Sequence, residues 1–452
     1  MLQLALRTTD SQRVKACKTA LERKGYFDKA RGIEKIDDCF FIFTTKSLEG
    51  DHGDLSAEFL DVLQDLPFSV SVTSVEPSKN RLKDLRSSNG SSLRVAVQKT
   101  LIHIREKYGG ITDASTAKIL AQIPNRYYVY GPLLLLSSGS FEGINAWTKL
   151  ADNNLSFSKD FYSILCSYMK STHVALNAPI SGDNENVMRK PTSLVCLYGD
   201  FGRDINESSI ANPDSAHFSS ELWAVTRQNG IQQTWAPRYT MFSRGNIKEK
   251  SRVIKFENVK NKTIVDLYAG IGYFTFSYAY AGALRVICWE INPWSVEGLL
   301  RGARANRLST QLVRHDEEWI ISDDLTGIPQ IIVFLESNIY AIDRLRDAEN
   351  RYGFTYDLAH VNMGLLPSSE QSWSTAVQLS LNSTSNSTML HVHANVKDEE
   401  IPMWARSTRK TLQSMGEQFT EPVLVQSCHL ARIKSFAPGV MHICGDFQIE
   451  HS

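Results

Sequence analysis

The sequence predicts an α/β fold whose C-terminal part is a parallel sheet with helices on both faces. Three observations carry that reading. From about residue 260, short apolar strand patterns alternate with amphipathic helical ones, the order that builds a covered parallel sheet. Glycines 270 and 272 directly follow the strand pattern 263–267, at the kind of strand-to-helix turn that faces the ligand crevice of an open sheet. Glu290 closes the next strand pattern, twenty residues after Gly270, where nucleotide-binding folds place an acid on a ribose.

The elements follow in order. Thr9 or Asp10 is a good helix N-cap ahead of a helical stretch to Lys24 closed by Gly25, and a strand is expected around 39–44. The polar run 86–92 has the composition of a flexible linker and marks a boundary, while 181–186 and 381–388 read as surface loops. Beyond 263–267, the pattern predicts a helix over 273–281 closed by Gly282 and a buried strand over 284–289. Asn292-Pro293 suits a helix start, after which Val296, Leu299, Leu300 and Ala303 share one face. Further strands are expected at 311–314, 359–363 and 389–393, and in a C-terminal pair around 423–433 and 440–446 that allows an antiparallel edge.

At 452 residues the chain exceeds what one core organises, so two or three domains are expected. Forty-nine basic and 49 acidic residues cancel, so any attraction to nucleic acid must come from a local patch. Seven cysteines without a C-x-x-C pair point to reduced thiols and a cytoplasmic location. The first 24 residues are too interrupted by charge for a secretion signal, and no run approaches the 18 apolar residues of a membrane span. His391 and His393 alternate along a strand pattern without a nearby third ligand, so they read as structural and no metal is expected. A monomer is expected.

The turn after the first strand narrows the ligand. Gly270 and Gly272 let the backbone take positive φ and approach a ligand, although an ordinary tight turn would use them too. Thr275 stands where the dinucleotide fingerprint has its third glycine, so a pyrophosphate cradle is not supported. Instead Asp266 ends the strand, Glu290 is placed to accept from both ribose hydroxyls, and Asp316 and Glu317 follow the third strand pattern, where an acid can accept the adenine amino group. An acidic loop is the competing reading of 315–318. Acids without phosphate-binding glycines suit S-adenosyl-L-methionine, whose sulfonium and ammonium are cationic.

These residues also carry a resemblance. Residues 266–276, followed by Cys288-Trp289-Glu290-Ile291-Asn292-Pro293, resemble the tRNA wybutosine-synthesizing protein 2 family, relatives of the tRNA guanine-37 N1-methyltransferases. The likeness extends over most of residues 120–450: Ile123-Pro124-Asn125-Arg126 through Gly131 and 133–141, Met241 to Arg252, Asn362 to Ser369, and His391 to Val396 all match shared segments. Tyr273, where the methyltransferases typically carry proline, and Gly-Leu-Leu inserted before Pro367 favour the wybutosine branch. His315-Asp316-Glu317 departs from the family's Gly-Asp-Asn.

The resemblance implies a class I, Rossmann-like methyltransferase fold at the C-terminus with smaller α/β N-terminal domains. The implied layout is 1–90 without an assigned role, 91–255 shared with the family and contacting RNA, and 256–452 binding S-adenosylmethionine. It implies transfer of the 3-amino-3-carboxypropyl group to a tricyclic guanosine derivative beside the anticodon of tRNA-Phe, with release of 5′-methylthioadenosine. Ser243, Lys250, Glu290, Asp316 and Glu317 would line the cofactor site, with Lys250 or Arg244 on the methionine carboxylate. Asp266 is a candidate for proton removal and Asn362 for holding the substrate ring edge. A guanine-37 N1-methyltransferase and a non-catalytic RNA-binding protein remain as alternatives.

For RNA, Arg238, Arg244, Lys248, Lys250, Arg252 and Lys255 face a single acid, Glu249, and are expected as a positive patch. Arg406, Arg409, Lys410, Arg432 and Lys434 extend it, with Tyr127, Tyr128, Tyr130 and Trp404 as stacking candidates.

Overall fold

The computed structural model describes residues 3–27, 33–36, 39–47, 63–64, 66, 71–75, 93–108, 110–123, 126–138, 140–141, 143–152, 156–177, 194–321, 327–420 and 422–451. The expected linker at 86–92 and loop at 181–186 lie outside the described residues. The chain forms two compact units, Met1–Ser91 and Ser92–Ser452.

In the first unit, strands β1 (Gln3–Thr8), β2 (Ile33–Ile36), β3 (Cys39–Ser47) and β4 (Ser71–Val75) form an antiparallel sheet in the order β2-β3-β1-β4. The helix Ser11–Arg23 closes its core through Cys17 and Leu21, which pack with Leu6 and Ile42. Gly25, at φ +73°, takes the left-handed conformation that releases the chain from the helix.

The second unit begins with a four-stranded sheet, β5 (Tyr127–Tyr130), β6 (Leu133–Leu136), β7 (His173–Leu176) and β8 (Val195–Tyr198), covered by helices that include Leu93–Ile104 and Phe157–Met169. A hairpin follows, β9 (Ala224–Gln228) and β10 (Ile231–Trp235). Its turn residues Asn229 and Gly230 both have positive φ, the backbone that a two-residue hairpin turn requires. The short helix Ile247–Val253 leads into the main sheet.

That sheet has eight strands: β11 (Thr263–Asp266), β12 (Arg285–Glu290), β13 (Thr310–Arg314), β14 (Ile331–Leu335), β15 (Leu358–Met363), β16 (Ser387–Lys397), β17 (Val423–Ala437) and β18 (Val440–His451). The order is β13-β14-β12-β11-β15-β16-β18-β17, parallel from β13 to β16 with β18 and β17 antiparallel. Strand order reverses between β11 and β15, so the ligand crevice of such a sheet lies outside their carboxyl ends. Trp289, Phe334 and Phe447 are fully buried on the sheet, and Phe276 and Tyr278 in the helix Thr275–Tyr280 cover its other face.

The strand expected at 311–314 is present as β13, but β14, which lies between it and β12, was not expected. β14 reads Ile-Ile-Val-Phe-Leu, a continuous apolar run with no alternation. That is how a strand buried on both faces reads.

Candidate functional site

The turn after β11 is held from beneath by a buried acid. Asp266 is fully buried; its Oδ2 accepts from Thr275 Oγ1 at 2.8 Å and its Oδ1 from Asn362 Nδ2 at 2.9 Å. The Leu267 amide donates to the Asn362 carbonyl at 3.0 Å, which ties the ends of β11 and β15 together. Burial raises the Asp266 pKa, and the bonds from Asn362 and Thr275 oppose that shift. Asp266 and Asn362 therefore face one another inside the protein. This arrangement orients the turn after β11.

Above them, Gly270 (φ +55°) and Gly272 (φ +84°) take left-handed backbone. A Cβ on Gly272 would stand 2.7 Å from the Phe276 ring, so the turn packs only with glycine there. The Gly270 amide donates to Glu290 Oε2 and the Asn292 amide to Glu290 Oε1, both at 2.8 Å. Burial raises the Glu290 pKa while these amides favour its charged form. The Ile291 amide also favours the charged form, and a carboxylate's lone-pair sites outnumber these amides, which leaves acceptor capacity for a ribose hydroxyl.

Lys250 is buried, and two neutral amide oxygens accept its hydrogen bonds. Its Nζ donates to Gln228 Oε1 at 3.1 Å and Gln233 Oε1 at 2.5 Å, and lies 5.1 and 5.2 Å from the ring centres of Phe242 and Tyr273. Burial lowers its pKa to about 7. Gln233 Nε2 in turn donates to the Gly272 carbonyl at 3.4 Å, linking the lysine to the glycine turn. Tyr273 donates its hydroxyl to the Met241 carbonyl. Ser243 Oγ accepts from Lys434 Nζ at 3.1 Å.

Asp316 and Glu317 are exposed beyond the edge strand β13, and Glu317 accepts from the Arg314 amide (2.9 Å) and guanidinium (3.0 Å). The residues beyond β14, which sequence reading missed, lie against the turn instead. Asn338 Nδ2 donates to the Leu267 carbonyl at 2.8 Å. Glu336 is buried and accepts from Arg344 at 3.0 and 2.7 Å, and Arg344 also donates to the carbonyls of Arg314, His315 and Glu317. The apolar run 331–335 followed by acid and amide was the signal that would have found them.

The expected basic patch separates into two kinds of cation. Arg238 is paired with Glu221 and Asp204, and Arg252 with Glu249 (2.5 Å) and Asp446 (2.5 Å). Their charges are met inside the protein. Arg244, Lys248 and Lys255 are exposed, with Arg244 packed 4.9 Å over the Tyr128 ring.

Residues 224–338 match the model of the TRM5/TYW2 methyltransferase domain. The chain is 45% identical over 329 residues to tRNA wybutosine-synthesizing protein 2 of Schizosaccharomyces pombe, covering 72% of this chain and 73% of that protein. The chain belongs to the tRNA wybutosine-synthesizing protein 2 family. The Saccharomyces cerevisiae protein of the same name is 33% identical, over 73% of this chain and 75% of its own. A crystal structure of P. horikoshii TYW2 in complex with MeSAdo aligns over 79% of this chain and 100% of its own, at 16% identity and a TM-score of 0.49.

In this member of the wybutosine-synthesizing protein 2 family, the departure at His315-Asp316-Glu317 has a structural reason. Those residues follow the edge strand, whereas Glu336-Ser337-Asn338 follow the strand that adjoins Glu290 in register.

Proposed function

We propose that this chain transfers the 3-amino-3-carboxypropyl group of S-adenosylmethionine to C7 of the tricyclic 4-demethylwyosine base at position 37 of tRNA-Phe, releasing 5′-methylthioadenosine in wybutosine biosynthesis. The observation that carries this reading is the 45% identity over 72% of the chain to a wybutosine-synthesizing protein 2. S-Adenosylmethionine is the group donor.

The residues around the turn fit that donor. Glu290 holds two amides and retains capacity for ribose hydroxyls. Lys250, bonded to the neutral amide oxygens of Gln228 and Gln233, suits a carboxylate. Asn338 holds the turn from the β14 side, and Asp266 with Asn362 fixes it from below. When bound, the donor supplies a sulfonium whose sulfur departs with the bonding pair of whichever attached carbon is attacked. The protein's part is to hold the methionine arm so that its γ-carbon faces the base. Ser243 and Lys434 stand on the side where segment 241–247 approaches the sheet. Arg244, Lys248 and Lys255 carry the RNA backbone contacts in this reading. The protein acts as a monomer in the cytoplasm, where its seven unpaired cysteines are at home.

The test is incubation with S-adenosylmethionine labelled in its aminocarboxypropyl arm and tRNA-Phe from cells lacking the activity, followed by nucleoside mass spectrometry. Label in the base together with 5′-methylthioadenosine is the expected result. S-Adenosylhomocysteine with a methylated guanine would establish the N1-methyltransferase instead.

A further inference from the structure

Strands β16 and β18 run past the carboxyl end of the parallel sheet. Asn362 and Met363, at the end of β15, lie opposite His391 and Val392, but β16 continues to Lys397 and stays paired with β18 throughout. Residues two apart on a strand share a face. His391, His393 and Asn395 therefore form a row on β16, opposed pair by pair on β18 by Asp446, Cys444 and His442.

The inner end of this row is hydrogen-bonded. His391 Nδ1 meets Asp446 Oδ1 at 2.8 Å, His360 Nδ1 and His391 Nε2 share a bond at 2.8 Å, and Arg252 closes the network on Asp446. In the middle, His393 Nδ1 and His442 Nε2 share a bond at 3.0 Å. At the outer end the bonding stops. His442 Nδ1, both side-chain amide atoms of Asn395 and Asn246 Oδ1 are shielded from solvent without a hydrogen-bond partner. Buried polar atoms in native proteins are almost always paired, so several together on segments that meet mark a place where a partner arrives.

These segments meet at the ligand end of the sheet. The Asn395 backbone N–H donates to the Pro367 carbonyl at 2.8 Å, which fastens the loop that follows Asn362. Asn246 lies between Ser243 and Lys250, ahead of Glu249, whose carboxylate lies near His393 and Cys444. Lys434, opposite His442 on β17, bonds to Ser243. The Phe274 ring, in the turn that follows Gly272, is 5.1 Å from that of His393.

We infer that Asn395 and His442, completed by Asn246, read the hydrogen-bonding edge of the substrate base, an inference that rests on the transferase reading above. A guanine-derived ring presents a carbonyl acceptor and ring nitrogens side by side. An amide answers with a donor and an acceptor together, and a neutral imidazole nitrogen with either. Burial lowers the pKa values of His393 and His442 to about 3, so the pair stays uncharged at neutral pH. A base edge reaches these atoms when segment 243–246 and the β17–β18 ladder part at the Lys434–Ser243 bond. A site of this kind discriminates strongly, because a base lacking the matching groups leaves protein atoms unpaired.

The test compares wild type with Asn395→Leu, His442→Ala and His442→Gln. Binding is measured for tRNA carrying the tricyclic base and for the same tRNA carrying guanosine at that position, alongside S-adenosylmethionine affinity and steady-state kinetics. Asn395→Leu and His442→Ala are expected to bind S-adenosylmethionine within about twofold of wild type and to lose about ten- to a hundredfold in kcat/KM. Their preference for tricyclic over guanosine tRNA falls by a similar factor, and His442→Gln recovers part of it. Unchanged preference, or a loss confined to S-adenosylmethionine affinity or to thermal stability, overturns the inference. Wild-type protein that makes no 5′-methylthioadenosine refutes the transferase reading itself, while the two-tRNA binding comparison still decides the role of these residues.

Discussion

The Gly270 amide donates to the Glu290 carboxylate at 2.8 Å, so the acid that ends β12 also braces the turn that follows β11. The same carboxylate accepts the Asn292 amide at the start of the helix Pro293–Ala305. As the proposed ribose ligand, Glu290 couples cofactor binding to the shape of the turn. Glu290→Ala removes two charged acceptor contacts, each worth roughly 1.5–3 kcal/mol, and should weaken S-adenosylmethionine binding by about a hundredfold or more. Calorimetry on folded variant protein checks it, and a Kd within threefold of wild type would show that Glu290 is not the ribose ligand.

Lys250 makes a prediction about protons. Its pKa is lowered from 10.5 to about 7 by burial beside neutral amides. Between those values the unfolded chain holds this proton more fully than the folded one, so its contribution to stability grows as pH rises from 7 toward 10.5. A methionine carboxylate arriving at Lys250 favours the ammonium and reverses the shift. Binding of S-adenosylmethionine at pH 8.5 should therefore take up about one proton, and much less at pH 6. Calorimetry in buffers of different ionisation enthalpy reads this directly. Lys250→Met should abolish the uptake; uptake that persists in the variant would place the carboxylate elsewhere.

What was legible in the sequence follows physical lines. β11, β12 and the helix from Pro293 were predictable because glycines, an N-cap asparagine and a proline punctuate them. The place of Glu290 against the glycine turn was legible because its spacing from Gly270 is local to one βαβ unit. β14 was not, since a strand buried on both faces shows no period, and Asn338 was missed with it. Arg252 read as free because, besides Glu249 three residues away, it meets Asp446 194 residues on, and Arg238 because Glu221 and Asp204 lie 17 and 34 residues from it. Linear charge counting registers the neighbours along the chain and cannot register an acid delivered by the sheet. The burial that lowers the Lys250 pKa is invisible for the same reason.

The buried network around Arg252 should govern acid stability. Arg252 donates to both Glu249 and Asp446, and removing one partner of a buried ion pair costs about 3–5 kcal/mol. Arg252→Ala should lower the melting temperature of a protein that still holds its secondary structure. His393 and His442 have folded pKa values near 3, against 6.5 ordinarily, and His360 shifts in the same direction. The unfolded chain then binds more protons below pH 6.5, so stability falls as pH drops from 6.5 toward 3. Each histidine contributes at most about 1.4 kcal/mol per pH unit. Asp446, lowered by His391 and Arg252, adds stability present above 3.8 and lost below it. Urea unfolding at pH 7.5 and 5.5 should reveal the loss above the range in which Asp446 titrates, and His393→Gln should shrink the difference. Equal stability at the two pH values would mean that these histidines are not held neutral.

The division of the basic residues predicts which of them RNA feels. Arg244 and Lys248 are exposed, with Arg244 over the Tyr128 ring, while Arg238 is already held by Glu221 and Asp204. A cation that contacts a phosphate releases counterions on binding, so deleting it weakens binding and lowers the salt dependence by about one unit of slope. A cation already neutralised inside the protein releases none. Arg244→Ala and Lys248→Ala should each flatten the plot of log affinity for tRNA against log salt, with the melting temperature unchanged. Arg238→Ala should leave the slope intact and lower the melting temperature, because it strands Glu221, buried at 7% exposure, without its partner. If Arg238→Ala flattens the slope as much as Arg244→Ala does, its ion pair opens on RNA binding and the surface around Glu221 belongs to the tRNA footprint.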